Sequence, residues 1–95
     1  MEEQKILTLH PEEGKRGVNI SRAKYEMVRQ AILKAVRSQG SITFKGLVSL
    51  VEYKLRNRFE GSISWYVTTV KLDLEARGEI ERVDERGEQT LRLKK

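Results

Sequence analysis

At Gly78 the hydrophobic pattern changes period, and that change restricts the folds open to this chain more than any other feature. Upstream, apolar residues recur at spacings of three and four. Downstream they occur in short runs of strand-forming residues around a polar turn. Tyr25, Val28, Ala31, Ile32 and Ala35 predict an amphipathic helix over residues 22–38, with Arg22, Arg29 and Arg37 on another face. Ser21 is a suitable N-cap, and Ile20 can staple onto Tyr25, although Lys24 stands where a capping box wants Glu. Gly40 marks the stop.

Ser41-Ile42-Thr43 is a short β-tolerant segment, after which Thr43 can cap a second helix and Ile42 can staple onto Leu47. The inward stripe of that helix is Phe44, Leu47, Val48, Val51 and Leu55. Polar residues 56–61 break the pattern. Ser62 then caps a third helix with the stripe Ile63, Tyr66, Val67, Val70 and Leu74. Residues 79–83 and 89–93 are strand-like and flank a turn over 84–88, which reads as a hairpin. Ile80 and Val83 have opposite parity, so a bulge or an early strand start is expected. Near the start, Ile6-Leu7-Thr8-Leu9 is read as a strand, followed by His10-Pro11 and a charged loop through Gly17.

Helix, short strand, helix, helix, hairpin is the element order of a winged helix, an α+β fold: a three-helix bundle with a helix-turn-helix, and a C-terminal β-hairpin wing. At 95 residues the chain suits one core, giving an N-terminal extension over residues 1–20 and a winged helix-turn-helix domain over 21–95. There is no cysteine, which removes disulfides, thiolate metal sites and cysteine nucleophiles. No apolar run approaches the ~20 residues of a membrane span. The acidic start Met1-Glu2-Glu3 does not resemble a signal peptide, so a cytoplasmic protein is expected.

Three stretches resemble a family of small uncharacterised bacterial proteins known only as a domain of unknown function. They are Lys5-Ile6-Leu7-Thr8-Leu9-His10-Pro11, Gly17-Val18-Asn19-Ile20-Ser21-Arg22-Ala23-Lys24-Tyr25, and the run over residues 62–82 that opens Ser62-Ile63-Ser64-Trp65-Tyr66. Within the last, Leu74-Glu75-Ala76-Arg77-Gly78-Glu79-Ile80-Glu81-Arg82 is similar to the junction of recognition helix and wing in many winged-helix regulators. The resemblance implies the fold and supplies no catalytic or ligand residues.

The net charge is +5, and the excess is localised: basic residues outnumber acidic ones nine to three over residues 21–61, while the chain beyond Gly61 is neutral. A polyanionic partner is implied. On a winged helix the third helix enters the major groove. Its outward set here is Ser64, Trp65, Thr68, Thr69, Leu72, Glu75 and Ala76, flanked by Lys71 and Asp73. The expectation is therefore a DNA-binding module or transcriptional regulator. Ser64, Thr68, Thr69 and Lys71 would lie at the groove, Arg56, Arg58 and Arg22 on phosphates, and Arg86 at the minor groove. Arg29, Arg37, Lys54 and Lys94-Lys95 are further cations able to meet phosphate, whereas Glu75 and Asp73 oppose such a partner.

Trp65 and Leu72 form a second apolar stripe that needs a cover: the N-terminal segment, a second copy or another protein. The alternative function is accordingly homodimerisation or protein contact without DNA. His10 is the only histidine and lies in an acidic loop, so no nucleophilic triad or three-ligand zinc site can be assembled around it. Gly14-Lys15-Arg16-Gly17 lacks the spacing of a phosphate-binding loop. No enzyme, cofactor, metal, small-molecule ligand or membrane association is expected.

Overall fold

In the computed structural model, residues 4–94 are described, and Met1-Glu2-Glu3 and Lys95 lie outside them. The chain is a mixed α+β structure with three helices and two small antiparallel sheets. The elements run β1 (Lys5–Leu7), β2 (Asn19–Ser21), α1 (Arg22–Gln39), β3 (Ser41–Thr43), α2 (Phe44–Leu55), α3 (Ile63–Ala76), β4 (Ile80–Glu85) and β5 (Glu88–Leu93).

Each helix begins where a hydroxyl satisfies an amide that the first turn leaves unpaired. Ser21 Oγ accepts from the Lys24 amide (3.2 Å), Thr43 Oγ1 from Gly46 (3.0 Å) and Ser62 Oγ from Trp65 (3.2 Å). At the far end of α1, Gly40 takes φ +79° and donates its amide to the Val36 carbonyl, a conformation that a side chain would penalise. The helical stripes meet in one core of Val28, Ile32, Val36, Leu47, Val51, Val67, Val70 and Leu74, closed below by Ile80 and Leu91 of the hairpin. Phe44, Val48, Ile63 and Tyr66 pack at its margin.

The larger sheet has the order β3-β5-β4, so the three residues between α1 and α2 pair with the last strand of the chain. Ser41 lies opposite Arg92, Ile42 opposite Leu91 and Thr43 opposite Thr90. The hairpin differs from the sequence expectation in two ways. Its register runs without interruption from Ile80↔Leu93 to Glu85↔Glu88, so there is no bulge. Val83 simply takes the face opposite to that of Ile80, across from Thr90. The turn is also tighter than five residues: only Arg86 (φ +51°) and Gly87 (φ +79°) lie between the paired ends, the positive-φ pair of a two-residue hairpin turn.

The N-terminal segment forms its own ribbon. β1 pairs with β2 in the register Lys5↔Ser21, Ile6↔Ile20, Leu7↔Asn19. Beyond it Thr8 is buried, exchanging hydrogen bonds with Val18 through both amide and hydroxyl. At Gly17 a β-carbon would stand 1.9 Å from the Thr8 carbonyl oxygen, so only glycine lets the two strands approach this closely. Among the described residues no helix is long and apolar enough to cross a membrane.

Candidate nucleic-acid interface

The outward face of α3 is divided. Ser64, Trp65 and Thr68, on its first turn and a half, are exposed. Thr69, Leu72, Glu75 and Ala76 are half-buried, and the two residues expected at the flanks are interior. Lys71 is 3% exposed and Asp73 is fully buried.

Lys71 is held by half-buried side chains of α2, α3 and β5. Its Nζ donates to Gln89 Oε1 of β5 (2.7 Å), pairs with Glu75 one turn on (3.2 Å) and lies 5.4 Å from the Phe44 ring centre. The expectation that Lys71 stands at a groove therefore gives way. Its chain is long enough to cross toward the hairpin, and a buried ammonium must find such partners.

Asp73 gathers three elements. One carboxylate oxygen accepts the Leu9 amide at 2.8 Å, the other accepts the Tyr25 hydroxyl of α1, and Arg77 Nε reaches both at 2.9–3.0 Å. Burial, reinforced by the neighbouring carboxylate, holds the Tyr25 hydroxyl in its protonated form well above the ordinary tyrosine range. The hydrogen bond to Asp73 in turn raises the Arg77 guanidinium above its ordinary value despite partial burial. The sequence offered little warning of this cluster, because its members lie 64, 48 and 4 residues from Asp73. Asp73 thus docks the N-terminal ribbon against the C-terminal half of α3. Leu7, Leu9, His10, Lys15, Arg16 and Ala76 line a groove of about 640 Å³ at that seam. His10 Nδ1 accepts the Glu12 amide at 3.1 Å, and Lys15 pairs with Glu12, which holds that carboxyl below its usual range.

The N-terminal half of α3 is arranged differently. Trp65 is 46% exposed and stands edge-on to Tyr66, with ring centres 5.0 Å apart and planes at 79°. Tyr66 stands similarly against Phe59 of the preceding turn (5.0 Å, 74°). Lys24, from the first turn of α1, places its ammonium 5.6 Å from the centres of both Phe59 and Tyr66. Thr68 donates its hydroxyl to the Ser64 carbonyl (2.9 Å), which leaves the oxygen free to accept.

The cations sort in the same way. Arg29, Lys71, Arg77, Arg82 and Arg92 are each paired with a carboxylate. At Arg29 partial burial works against the charge, but the Glu79 carboxylate outweighs it and raises the pKa. Arg22, Lys24, Arg56 and Arg58 have no carboxylate partner among the described residues. Arg56 instead lies over the exposed Tyr53 ring, 4.6 Å from its centre. These four come from the start of α1 and from the α2–α3 turn; Lys5, Arg16, Lys34, Arg37, Lys45, Lys54, Arg86 and Lys94 also lack a carboxylate partner among the described residues. Arg86 is exposed at the hairpin tip, flanked by exposed Glu85 and Glu88. Arg37, Lys54 and Lys94 are also exposed, and Lys95 of the expected terminal pair lies outside the described residues. Among the described residues no three His, Cys, Asp or Glu side chains are grouped as a metal site would require.

Residues 5–91 match a family of unknown function, DUF6958. Comparison with curated proteins and with solved structures returns no match.

Proposed function

We propose that this chain, which belongs to the family of unknown function DUF6958, is a winged-helix module that binds nucleic acid through the start of α1, the α2–α3 turn and the open end of α3. The observation that carries the reading is the sorting of cations. Arg22 and Lys24 at the start of α1 and Arg56 and Arg58 in the turn before α3 have no carboxylate partner among the described residues, whereas Lys71, Arg77, Arg82 and Arg92 are each paired with one and only Arg86, at the hairpin tip, is likewise open. Unpaired guanidinium and ammonium groups around an exposed helix N-terminus suit backbone phosphate. The winged-helix assignment is supported by the strand order β3-β5-β4, which brings the strand between α1 and α2 onto the C-terminal hairpin as that fold requires.

In this reading Arg56 and Arg58 contact phosphate, with Arg22 and Lys24 extending the track, and Ser64 and Thr68 are the polar groups facing the strand. Thr69 is only partly open and Lys71 is interior, so neither is given a contact. Homodimerisation is the less favoured reading, because it drew on a continuous Trp65 and Leu72 stripe and Leu72 is half-buried.

Fluorescence anisotropy with a mixed-sequence oligonucleotide duplex, titrated across salt, tests the proposal. Binding should weaken steeply with salt, and Arg56→Glu with Arg58→Glu should lower the slope by about 0.9 for each phosphate no longer neutralised. A folded sample that binds neither this duplex nor its separated strands at low salt refutes it.

A further inference from the structure

We propose that the strand taken by this interface is unpaired, and that Trp65 is the platform on which one of its bases stacks. This deepens the nucleic-acid reading above and rests on it.

Three observations lead there. First, the open part of α3 is too short and carries the wrong chemistry to read a duplex. Only Ser64, Trp65 and Thr68 are exposed, the following turns being closed by the docked N-terminal ribbon and by the partners of Lys71. Side chains that distinguish base pairs in a major groove are chiefly Arg, Lys, Asn and Gln, and none is among those three. A half-exposed indole is instead suited to the face of an unstacked base, which is how single strands are held.

Second, the indole is fixed before any ligand arrives. The edge-on succession Trp65, Tyr66, Phe59 ties it through two perpendicular contacts to the α2–α3 turn, and Ser62 caps the helix at the Trp65 amide. A rigid aromatic loses little conformational freedom on binding. Lys24 lies against two of these rings, Phe59 and Tyr66, and a β-carbon on Gly61 would be 3.9 Å from its Nζ, so the ammonium is lodged between α1 and the turn. It has no carboxylate partner among the described residues. Stacking surface beside an unpaired cation is the combination that sequence-tolerant single-strand sites use.

Third, Trp65 is the one exposed apolar side chain of α3, which by itself is little for a second copy of the chain to bury. A specific dimer buries about 800 Å² per partner, while one aromatic side chain supplies about 150–250 Å². The other exposed residues of α3, Ser64 and Thr68, are polar.

Trp65 is the only tryptophan in the chain, so its emission reports on the platform directly. The full chain is titrated with a mixed-sequence single strand and with the blunt duplex of the same sequence, and molecular mass is recorded alongside. The single strand should quench Trp65 emission and bind more tightly than the duplex. Trp65→Ala should weaken single-strand binding about 5- to 150-fold, the range for removal of one stacked base, while changing duplex binding less than about twofold. Trp65→Phe, which keeps a stacking face, should recover much of the affinity. Salt-dependent binding with unquenched emission, or equal weakening on both ligands, overturns the platform but leaves the nucleic-acid reading standing. Failure of both ligands to bind at low salt overturns both. A dimer that Trp65→Ala converts to a monomer assigns the surface to self-association and overturns the platform.

Discussion

Replacing Asp73 by alanine removes the acceptor on which three elements converge, and the cost can be worked from its partners. The Leu9 amide (2.8 Å) and the Tyr25 hydroxyl lose their acceptor beside a carboxylate that is fully buried. A buried donor left unsatisfied costs about 1–3 kcal/mol. Arg77 loses its bidentate partner too, but its side chain is 36% exposed and water can replace the carboxylate, so its share is below about 1 kcal/mol. The total comes to about 4 kcal/mol, within the ~3–5 kcal/mol typical when one member of a buried charged set is removed. A domain of this length has about 5–14 kcal/mol in all. Asp73→Ala should therefore lower Tm by about 15–30 °C, and urea unfolding followed by circular dichroism should give the same energy from the midpoint shift. Tyr25→Phe should cost only about 1 kcal/mol, and the double variant less than the sum of the two, because it leaves no orphaned hydroxyl. Hydrogen exchange at the Leu9 amide should accelerate in Asp73→Ala more than at Ile32 in the core. A destabilisation below about 1 kcal/mol, or an unchanged Leu9 amide, would refute the argument that this carboxylate docks the ribbon.

Gly17→Ala should open the ribbon, since the new methyl would overlap the Thr8 carbonyl. Protection of the Thr8 and Val18 amides should fall while the helices stay folded, at about 1–3 kcal/mol. Stability should also depend on alkaline pH through Tyr25, whose hydroxyl is held above its ordinary range by burial and then by Asp73. A raised folded pKa stabilises the protein fully below the unfolded value of about 10. That contribution disappears as pH rises beyond it, because the unfolded chain ionises first. The difference between native and Tyr25→Phe unfolding energies should be flat below pH ~10 and shrink above it. Lys71→Met should change oligonucleotide affinity less than about twofold, because Lys71 lies inside against Gln89 and Glu75. A decrease of about tenfold, or about 1.4 kcal/mol, would show that Lys71 reaches the ligand.

The helices were legible because each carries its own signals within a few residues. The cap at Ser21, Thr43 or Ser62 and a stripe of period 3.6 are local, and local physics placed the boundaries within a residue or so. β2 was not legible. Asn19–Ser21 is three residues long and reads as the lead-in to α1; only its pairing with Lys5–Leu7 makes it a strand. The hairpin turn was overestimated because Asp84, Glu85 and Glu88 are polar, although Arg86-Gly87 alone meets the positive-φ requirement. The positions misread on α3 share one cause. A helical wheel places Lys71 and Asp73 at the edge of the solvent side, but the hairpin and the N-terminal ribbon fold over that edge, and their arrival depends on partners 18 and 64 residues away.

That same folding-over changes what the charges of α3 mean. In the sequence, Asp73 and Glu75 weigh against a polyanionic partner, because a neutral helix repels as much phosphate as it attracts. In the structure Asp73 is committed to Arg77, Tyr25 and Leu9, and Glu75 to Lys71. Both carboxylates are withdrawn from the open end of the helix, together with the cations that balance them. The charges left open in the α2–α3 turn and at the start of α1 are then Arg56, Arg58, Arg22 and Lys24, with Glu60 of the turn opposing them, and salt screens exposed charges beyond about 10 Å. Neutrality counted along a helix is a sum over groups that never face the same solvent. It is the pairing of each charge, rather than its number, that decides which charges a ligand can meet.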